Sequence, residues 1–440
     1  MKLVLFLSRT LSQFSPIIVL TMGSTSNSLK ARAKKMNICQ VIISDGWGGA
    51  GEVVYELSRY LQDKGQHVSI ILNEEIVKYY TDINNITLFN IGPLYPPQYK
   101  LLNMKRDVDK QYVIPKALRL AYIYSDELIR HRRYNSFRPK IKQILADNHI
   151  DVIHSHLASS AFLLENLDMN RIPIINTVHG EHDLIGKYSV PLYLAPFFKW
   201  KAKKYKNTLS KMDIVTEVSD FSVNNLKEWG VKLKSKPVLI NNGVSLFDFK
   251  NSVLLKKKLA GKFNLLYPGG AVRRKGGDLL LVALSGLGNS ISGLHLYISG
   301  NVPQNTMLRQ MVIKLGLEST VTFTGFLTKE EYKILLNSVD LLVMPSREEA
   351  FGLAYVEAMA LAKPVIASKT GGIPEVVQDG RNGVLVGLDS EQIAKAILYL
   401  YQRGDIREEM GRNNSCDVAK FDWNLITDQY IRLYGMLVKL

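Results

Sequence analysis

Cysteine is scarce: Cys39 and Cys416 are the only two in 440 residues. So far apart, they supply neither a disulfide framework nor a metal-ligand cluster, and they suit a reducing compartment such as the cytoplasm. Long apolar runs are lacking too. The most apolar stretch, MKLVLFLSRTLSQFSPIIVLTMG at the start, is broken by Arg9, Gln13 and several serines. It stays short of the roughly 20 apolar residues that cross a bilayer, and no clean small-residue cleavage site follows it. Residues 1–35 are therefore expected to form a disordered extension, with folding beginning at Met36. Low-complexity tracts and short-period repeats are missing as well. Acid is under-represented, 40 Asp and Glu against 56 Lys and Arg, which leaves a net charge of +16.

The basic excess is concentrated. Residues 130–142 carry six Lys or Arg and no acid, and residues 187–211 carry seven lysines and no acid. In the second run Tyr193, Phe197, Phe198 and Trp200 alternate with Lys199, Lys201, Lys203 and Lys204. Aromatic rings at headgroup depth beside snorkelling lysines suit an anionic membrane surface. A solvated helix with one core-facing aromatic stripe explains the same residues. Nucleic acid is not expected as a partner, because no recognisable binding module accompanies the charge.

What is present is an ordinary globular composition, 46% hydrophobic and 22% charged, in a chain long enough for two domains. From Met36 onward, short Val/Ile/Leu-rich runs alternate with amphipathic stretches of helical length, the pattern of a parallel sheet covered by helices. Strands are predicted at 38–43, 67–72, 151–154, 173–178, 213–217 and 237–240. The lysine-rich stretch SLFDFKNSVLLKKKLAGK, residues 245–262, reads as a linker. Strands resume at 263–267, 294–299, 321–323, 341–344, 364–367 and 384–386. The expected fold class is α/β, two doubly wound Rossmann-like domains facing a cleft, with ligands at the carboxyl ends of the strands.

Two glycine-rich turns bear on what the cleft holds. DGWGGAGEVVYELSRYL, residues 45–61, satisfies GxGxxG at Gly46, Gly48 and Gly51, the spacing of a dinucleotide turn. Trp47 within it would crowd a pyrophosphate. The segment MPSREEAFGLAYVEAMALAKPVIA, residues 344–367, places Glu349 just before a predicted helix start near Phe351 and Glu357 within that helix. Such a start offers the N–H groups of Phe351, Gly352 and Leu353, with the helix dipole behind them, to an anion or a sugar hydroxyl. Gly352 permits close approach to the backbone. Glu357 can accept two hydrogen bonds from adjacent ribose hydroxyls.

Further motifs follow in order: DVIHSH at 151–156, TVHG at 177–180, NNGVSLFDF at 241–249, RRKGGDLLL at 273–281 and TGGIPEVVQDGRNGVLV at 370–386. With this ordered set, the chain resembles the retaining glycosyltransferases of family 4 from about Met36 to its carboxyl end. The resemblance implies the GT-B fold. An acceptor-binding domain would occupy 36–245 and a nucleotide-sugar-binding domain 246–418, with a helix at 419–440 crossing back to the first domain. It also implies roles: Glu349 holds the donor sugar, Glu357 the nucleotide ribose, Lys275 the diphosphate, and His179 touches the sugar near the reacting carbon. His179, Glu349 and Lys275 are then the catalytic candidates. The arginine that the family pairs with this lysine falls at Gly270, so Arg273 or Arg274 must stand in, with Arg273 preferred. Gly48 and Gly49 match the family's loop before the first helix, Gly49 facing the donor. His154 and His156, on the neighbouring strand, are candidates for the acceptor side.

The implied activity is transfer of a sugar from a UDP- or GDP-sugar to a hydroxyl of a glycan or lipid-linked acceptor, with retention at the anomeric carbon. The implied location is cytoplasmic or peripheral on the inner face of a membrane. No cofactor or metal is implied, since Lys275 and the helix-start amides would take up the leaving charge. Asp107 and Asp109 form a DxD, the metal motif of another glycosyltransferase fold, but with no glycine-rich donor loop nearby it reads as a chance occurrence. Rival readings are a nucleotide-sugar epimerase or phosphorylase of the same fold, an NAD-dependent dehydrogenase, and a non-catalytic glycan- or membrane-binding protein.

Overall fold

The computed structural model describes residues 35–95, 116–165, 167, 172–180, 195–252 and 256–439. The expected extension at 1–35, apart from Lys35, and the Asp107/Asp109 pair lie outside them. The apolar runs of the amino-terminal half become β1 (Asn37–Ile42), β2 (His67–Leu72), β3 (Thr87–Asn90), β4 (Val152–His156), β5 (Ile174–Val178), β6 (Ile214–Glu217) and β7 (Val238–Leu239). They form one parallel sheet in the order β3-β2-β1-β4-β5-β6-β7. The second half supplies β8 (Phe263–Tyr267), β9 (Leu294–Ser299), β10 (Val321–Gly325), β11 (Leu341–Met344), β12 (Val365–Ser368) and β13 (Gly383–Val386). These build a second parallel sheet, ordered β10-β9-β8-β11-β12-β13. In both sheets the order reverses beside the first strand, between β1 and β4 and between β8 and β11. Those two reversal points are where an open α/β sheet leaves a crevice for ligands.

Burial on both faces explains why the central strands read as unbroken apolar runs. Cys39, Val41 and Ile42 of β1 are fully buried, as are Leu341, Leu342 and Val343 of β11. The first helix, Gly49–Asp63, turns Val53, Val54, Leu57 and Leu61 inward at helical spacing. The carboxyl-terminal helix, Trp423–Val438, packs beside it on the same face of the first sheet through Trp423, Ile426, Tyr430 and Tyr434. The crossing-back helix thus covers the half of the molecule farthest from it in sequence.

Two expectations change. β3 was not predicted, because TLFN is short and only half-buried at a sheet edge. The stretch read as a linker opens with a helix, Leu246–Ser252, and its Asp248 pairs with Arg59 of the first helix at 2.6 Å. Charge made it look like a solvated connection, while the ion pair and Phe249, 3% exposed, hold it in place.

Candidate active site

At the second sheet's reversal point, the loops after β8 and β11 leave adjacent strand ends and are stapled together. Arg347 makes a bidentate pair with Asp278, both contacts 2.7 Å, and also donates to the Arg273 carbonyl at 2.7 Å. Its own N–H donates to the Arg274 carbonyl. Gly276 turns between them at φ +80°, and a Cβ there would stand 2.0 Å from the Pro345 carbonyl oxygen. Only glycine fits this crossing. The staple brings the Lys275 ammonium into an ion pair with Glu349. Arg274 donates to the Glu348 carbonyl at 3.0 Å and lies 3.9 Å from Glu349. Arg273, preferred from the sequence, is exposed on the outside of the turn. The second cation beside Glu349 is therefore Arg274.

Glycines also floor the Glu349 loop. A Cβ at Gly371 or Gly372 would lie 2.2 Å from the Glu349 carbonyl or 2.0 Å from that of Ala350. Gly372 donates its N–H to Glu349 at 2.9 Å. The helix following the loop runs Leu353–Ala360, with Gly352 as its cap at φ +90°, so the N–H groups of its first turn point out of the helix toward the loop. Phe351 is buried against Phe421. Across the cleft, a Cβ on Gly49 would touch Leu353 at 3.6 Å. The glycine turn of the first half thus faces the helix start of the second.

Glu357 sits one and a half turns inside that helix and accepts from the Tyr332 hydroxyl at 3.0 Å. Burial, and then the charge of Glu52 on the first helix, push its carboxyl up to about 7. Glu52 accepts in turn from Lys329, at 2.8 Å, and Lys329 also pairs with the buried Glu56. Lys329 belongs to the second half and both partners to the first, so this cluster ties the two lobes beside the site. Tyr332, Lys329 and the Glu52/Glu56 pair were not singled out in the sequence. The available signals were the i, i+4 glutamates and the helix start TKEE, where Thr328 and Glu331 close a capping box.

At the first sheet's reversal point, His179 ends β5 and is partly exposed, whereas His154 and His156 are fully buried. Those two, which the sequence suggested for the acceptor side, expose no surface and turn to partners inside the fold. His156 instead contacts His179, Nδ1 to Nε2 at 2.9 Å, and Gln40 Oε1 at 2.6 Å. His154 contacts the Tyr434 hydroxyl at 2.6 Å and Thr177 at 2.7 Å. Burial drives all three imidazoles down in pKa, His179 to about 3. Trp47 covers Gly51 and packs against Tyr79 and, edge-on, against Tyr80. The indole thereby covers the GxGxxG turn at Gly51, while Gly46 and Gly48 stay open.

Beside the histidines, a cavity of about 220 Å³ opens at the carboxyl ends of β1 and β4. Ser44, Asp45, Arg130, Phe162, Lys201 and Lys204 are among its walls. Arg130 is oriented by Asp45 at 2.8 Å and Asp126 at 3.2 Å, and Lys204 stands over the Phe162 ring at 3.7 Å. On the helix Ala195–Leu209, Phe197 and Tyr205 turn inward and Trp200 is 49% exposed. Among the described residues, no helix is long and apolar enough to cross a membrane.

Residues 254–415 match the family described as glycosyl transferases group 1, and residues 47–246 match glycosyltransferase family 4. The chain is 31% identical over 286 residues to a glycosyltransferase of Methanocaldococcus jannaschii, covering 64% of this chain and 74% of the relative. It is 25% identical over 329 residues to the phosphatidyl-myo-inositol mannosyltransferase of Mycobacterium leprae, covering 74% and 83%. Among solved structures, sucrose-phosphate synthase of Thermosynechococcus elongatus superposes with a TM-score of 0.70 at 24% identity, over 92% of this chain and all of that one. The Anabaena protein HepE in complex with UDP-glucose superposes with a TM-score of 0.68 at 19% identity, with the same coverage. These likenesses agree with the two facing sheets in assigning the GT-B fold. With both halves matched in turn and a relative above 30% identity spanned over most of its length, the chain belongs to glycosyltransferase family 4, the glycosyl transferases group 1.

Proposed function

We propose that this glycosyltransferase moves a sugar from a nucleoside diphosphate, UDP or GDP, to an acceptor hydroxyl with retention at the anomeric carbon. The observation that carries the reading is the joined loop pair at β8 and β11. It sets Lys275 and Arg274 against Glu349, with the helix amino terminus following and Glu357 inside that helix. A diphosphate suits the cations and amides, and a sugar and a ribose offer hydroxyls to the two carboxylates. Lys275 and Arg274 offset the charge that grows on the departing diphosphate, so the reaction needs neither metal nor cofactor. His179 meets the sugar from the opposite lobe. The solved neighbour with UDP-glucose and the relative named for phosphatidyl-myo-inositol support a nucleotide-sugar donor and a glycan or lipid-linked acceptor. The acceptor enters on the side of the cavity beside Arg130 and Lys204. Exposed Trp200, Lys199 and Lys203 support an anionic membrane as the place where a lipid-linked acceptor is met.

The test is turnover of a panel of UDP- and GDP-sugars in the presence of chelator, with and without vesicles of anionic lipid. We expect transfer with an anomeric proton signal of the donor's configuration. Lys275→Met should lower kcat about 100-fold, the worth of one charge-stabilising donor. An inverted product overturns retention, loss of activity with chelator overturns metal independence, and vesicle binding unchanged in Lys199→Gln/Lys203→Gln overturns the membrane reading.

A further inference from the structure

A polar row crosses the first sheet beneath the carboxyl-terminal helix. Gln40, His154, His156, Thr177 and Thr216 are each fully buried, under Tyr430 and Tyr434 of the carboxyl-terminal helix. Register explains the row: Gln40 pairs with His154 across β1 and β4, and His156 with Thr177 across β4 and β5. Burying two imidazoles and a primary amide costs free energy, most where a group goes unpaired as Gln40 Nε2 does, so a core that keeps them has a use for the bonds they do make.

The bonds have a direction. Burial keeps the imidazoles neutral at pH 7, so each ring carries a single N–H. The Gln40 Oε1 atom, 2.6 Å from His156 Nε2, can only accept, which places the His156 proton on Nε2. His156 Nδ1 is then a lone pair, and its 2.9 Å contact requires that His179 donate from Nε2. The remaining ring nitrogen of His179, Nδ1, keeps its lone pair.

Resting on the function proposed above, we propose that Gln40 and His156 are positioning residues that hold His179 in the Nε2–H tautomer, so that it meets the substrate as a hydrogen-bond acceptor. The chemical consequence is a preference. An imidazole that offers only a lone pair receives the proton of a sugar hydroxyl and repels a phosphate or carboxylate oxygen. His179 is thereby fitted to the sugar, and the diphosphate is left to Lys275 and Arg274. The row also joins His179 to the carboxyl-terminal helix, because His154, with its ring centre 4.1 Å from that of His156, contacts Tyr434.

Two measurements test this, the first of them independent of activity. In the wild-type chain labelled with ¹⁵N-histidine, long-range ¹H–¹⁵N spectra report the tautomer of each ring, with His156→Asn and His179→Asn giving the assignments. We expect Nε2–H for both rings, and an Nδ1–H signal from His179 overturns the proposal whether or not any donor is turned over. In the second measurement Gln40→Met removes the acceptor with little change of volume, and Gln40→Glu keeps an acceptor at the same reach. Gln40→Met should lose roughly 3- to 10-fold in kcat/KM, the worth of one hydrogen bond, with the acceptor KM unmoved and part of the loss restored in Gln40→Glu. Equal kinetics in wild type and a folded Gln40→Met overturn the positioning role. If Gln40→Met fails to fold, the spectra still decide. Absence of turnover in wild type with every donor, beside the expected tautomers, defeats the proposed function and leaves the tautomer assignment intact.

Discussion

Gly270 stands where the resemblance to the family would put an arginine, and its backbone leaves little room for one. At φ +53°, with the Asn301 carbonyl oxygen 3.0 Å from the position of a Cβ, the site admits no side chain without strain. The second cation near Glu349 is Arg274, four residues along, in the turn held by the Arg347–Asp278 staple. Glu357 gives the residue-scale prediction. Burial first, and then Glu52, push its carboxyl up to about 7. Only the ionised form offers both oxygens to a ribose diol. With Glu357 on the ribose as proposed, the sign follows: we expect nucleotide affinity to fall as pH drops through about 7, by up to tenfold per unit below it. In the free protein the folded state holds this proton more tightly than the unfolded one, so stability declines as pH rises from 4.5 toward 7. Calorimetric titration with UDP and GDP across this range should show the slope, and Glu357→Gln should flatten it while binding weakly throughout. An unchanged slope in Glu357→Gln would assign the titration to another group.

Among the elements, the carboxyl-terminal helix bears the most weight. Its Asp422 cap accepts from the Asn424 N–H, and Trp423 follows at once, 2% exposed, with its indole lying 2.5 Å from where a Cβ on Gly243 would be. A glycine at 243 makes the slot and a tryptophan fills it. Trp423→Ala empties that slot and should cost about 3–5 kcal/mol, the usual range for a buried tryptophan. Urea unfolding followed by tyrosine fluorescence, with far-UV circular dichroism alongside, measures it. Because the helix packs on the first sheet, the transition that moves should be that sheet's own. A shift below 1 kcal/mol would mean that the helix is dispensable to the first lobe.

For the whole molecule, polar connections besides the Arg59–Asp248 pair bear on how the lobes meet. The Glu375 carboxylate, in the second half, accepts from the N–H groups of Asp220 and Phe221, both at 2.8 Å, and so caps the helix Asp220–Glu228 of the first half. Lys329 answers Glu52 and Glu56 on the other side of the cleft. Glu56 is 2% exposed, so Lys329→Met leaves it with Arg59 alone and should destabilise the closed arrangement by about 1–3 kcal/mol. Opening then admits water to the donor. We expect a larger radius of gyration by small-angle scattering and more hydrolysis of the nucleotide-sugar per transfer. An unchanged radius with unchanged partition would show that the cluster is structural only.

Local chemistry by itself determined most of the architecture. Alternating apolar runs and helical stripes, together with the ordered motifs around Glu349, His154 and Lys275, fix strands, their parallel pairing and the chain positions of the site, because burial on both faces and helix-start geometry act over a few residues. The edge strand β3 and the helix at 246–252 escaped, since each depends on partners distant in sequence. What tertiary structure alone decided is which groups meet: Arg274 rather than Arg273 beside Glu349, Lys329 against Glu52, and His154 and His156 drawn beneath the sheet's helix instead of into the cleft. Those choices come from strand register and from packing between lobes, which bring together atoms that no periodicity in the chain relates.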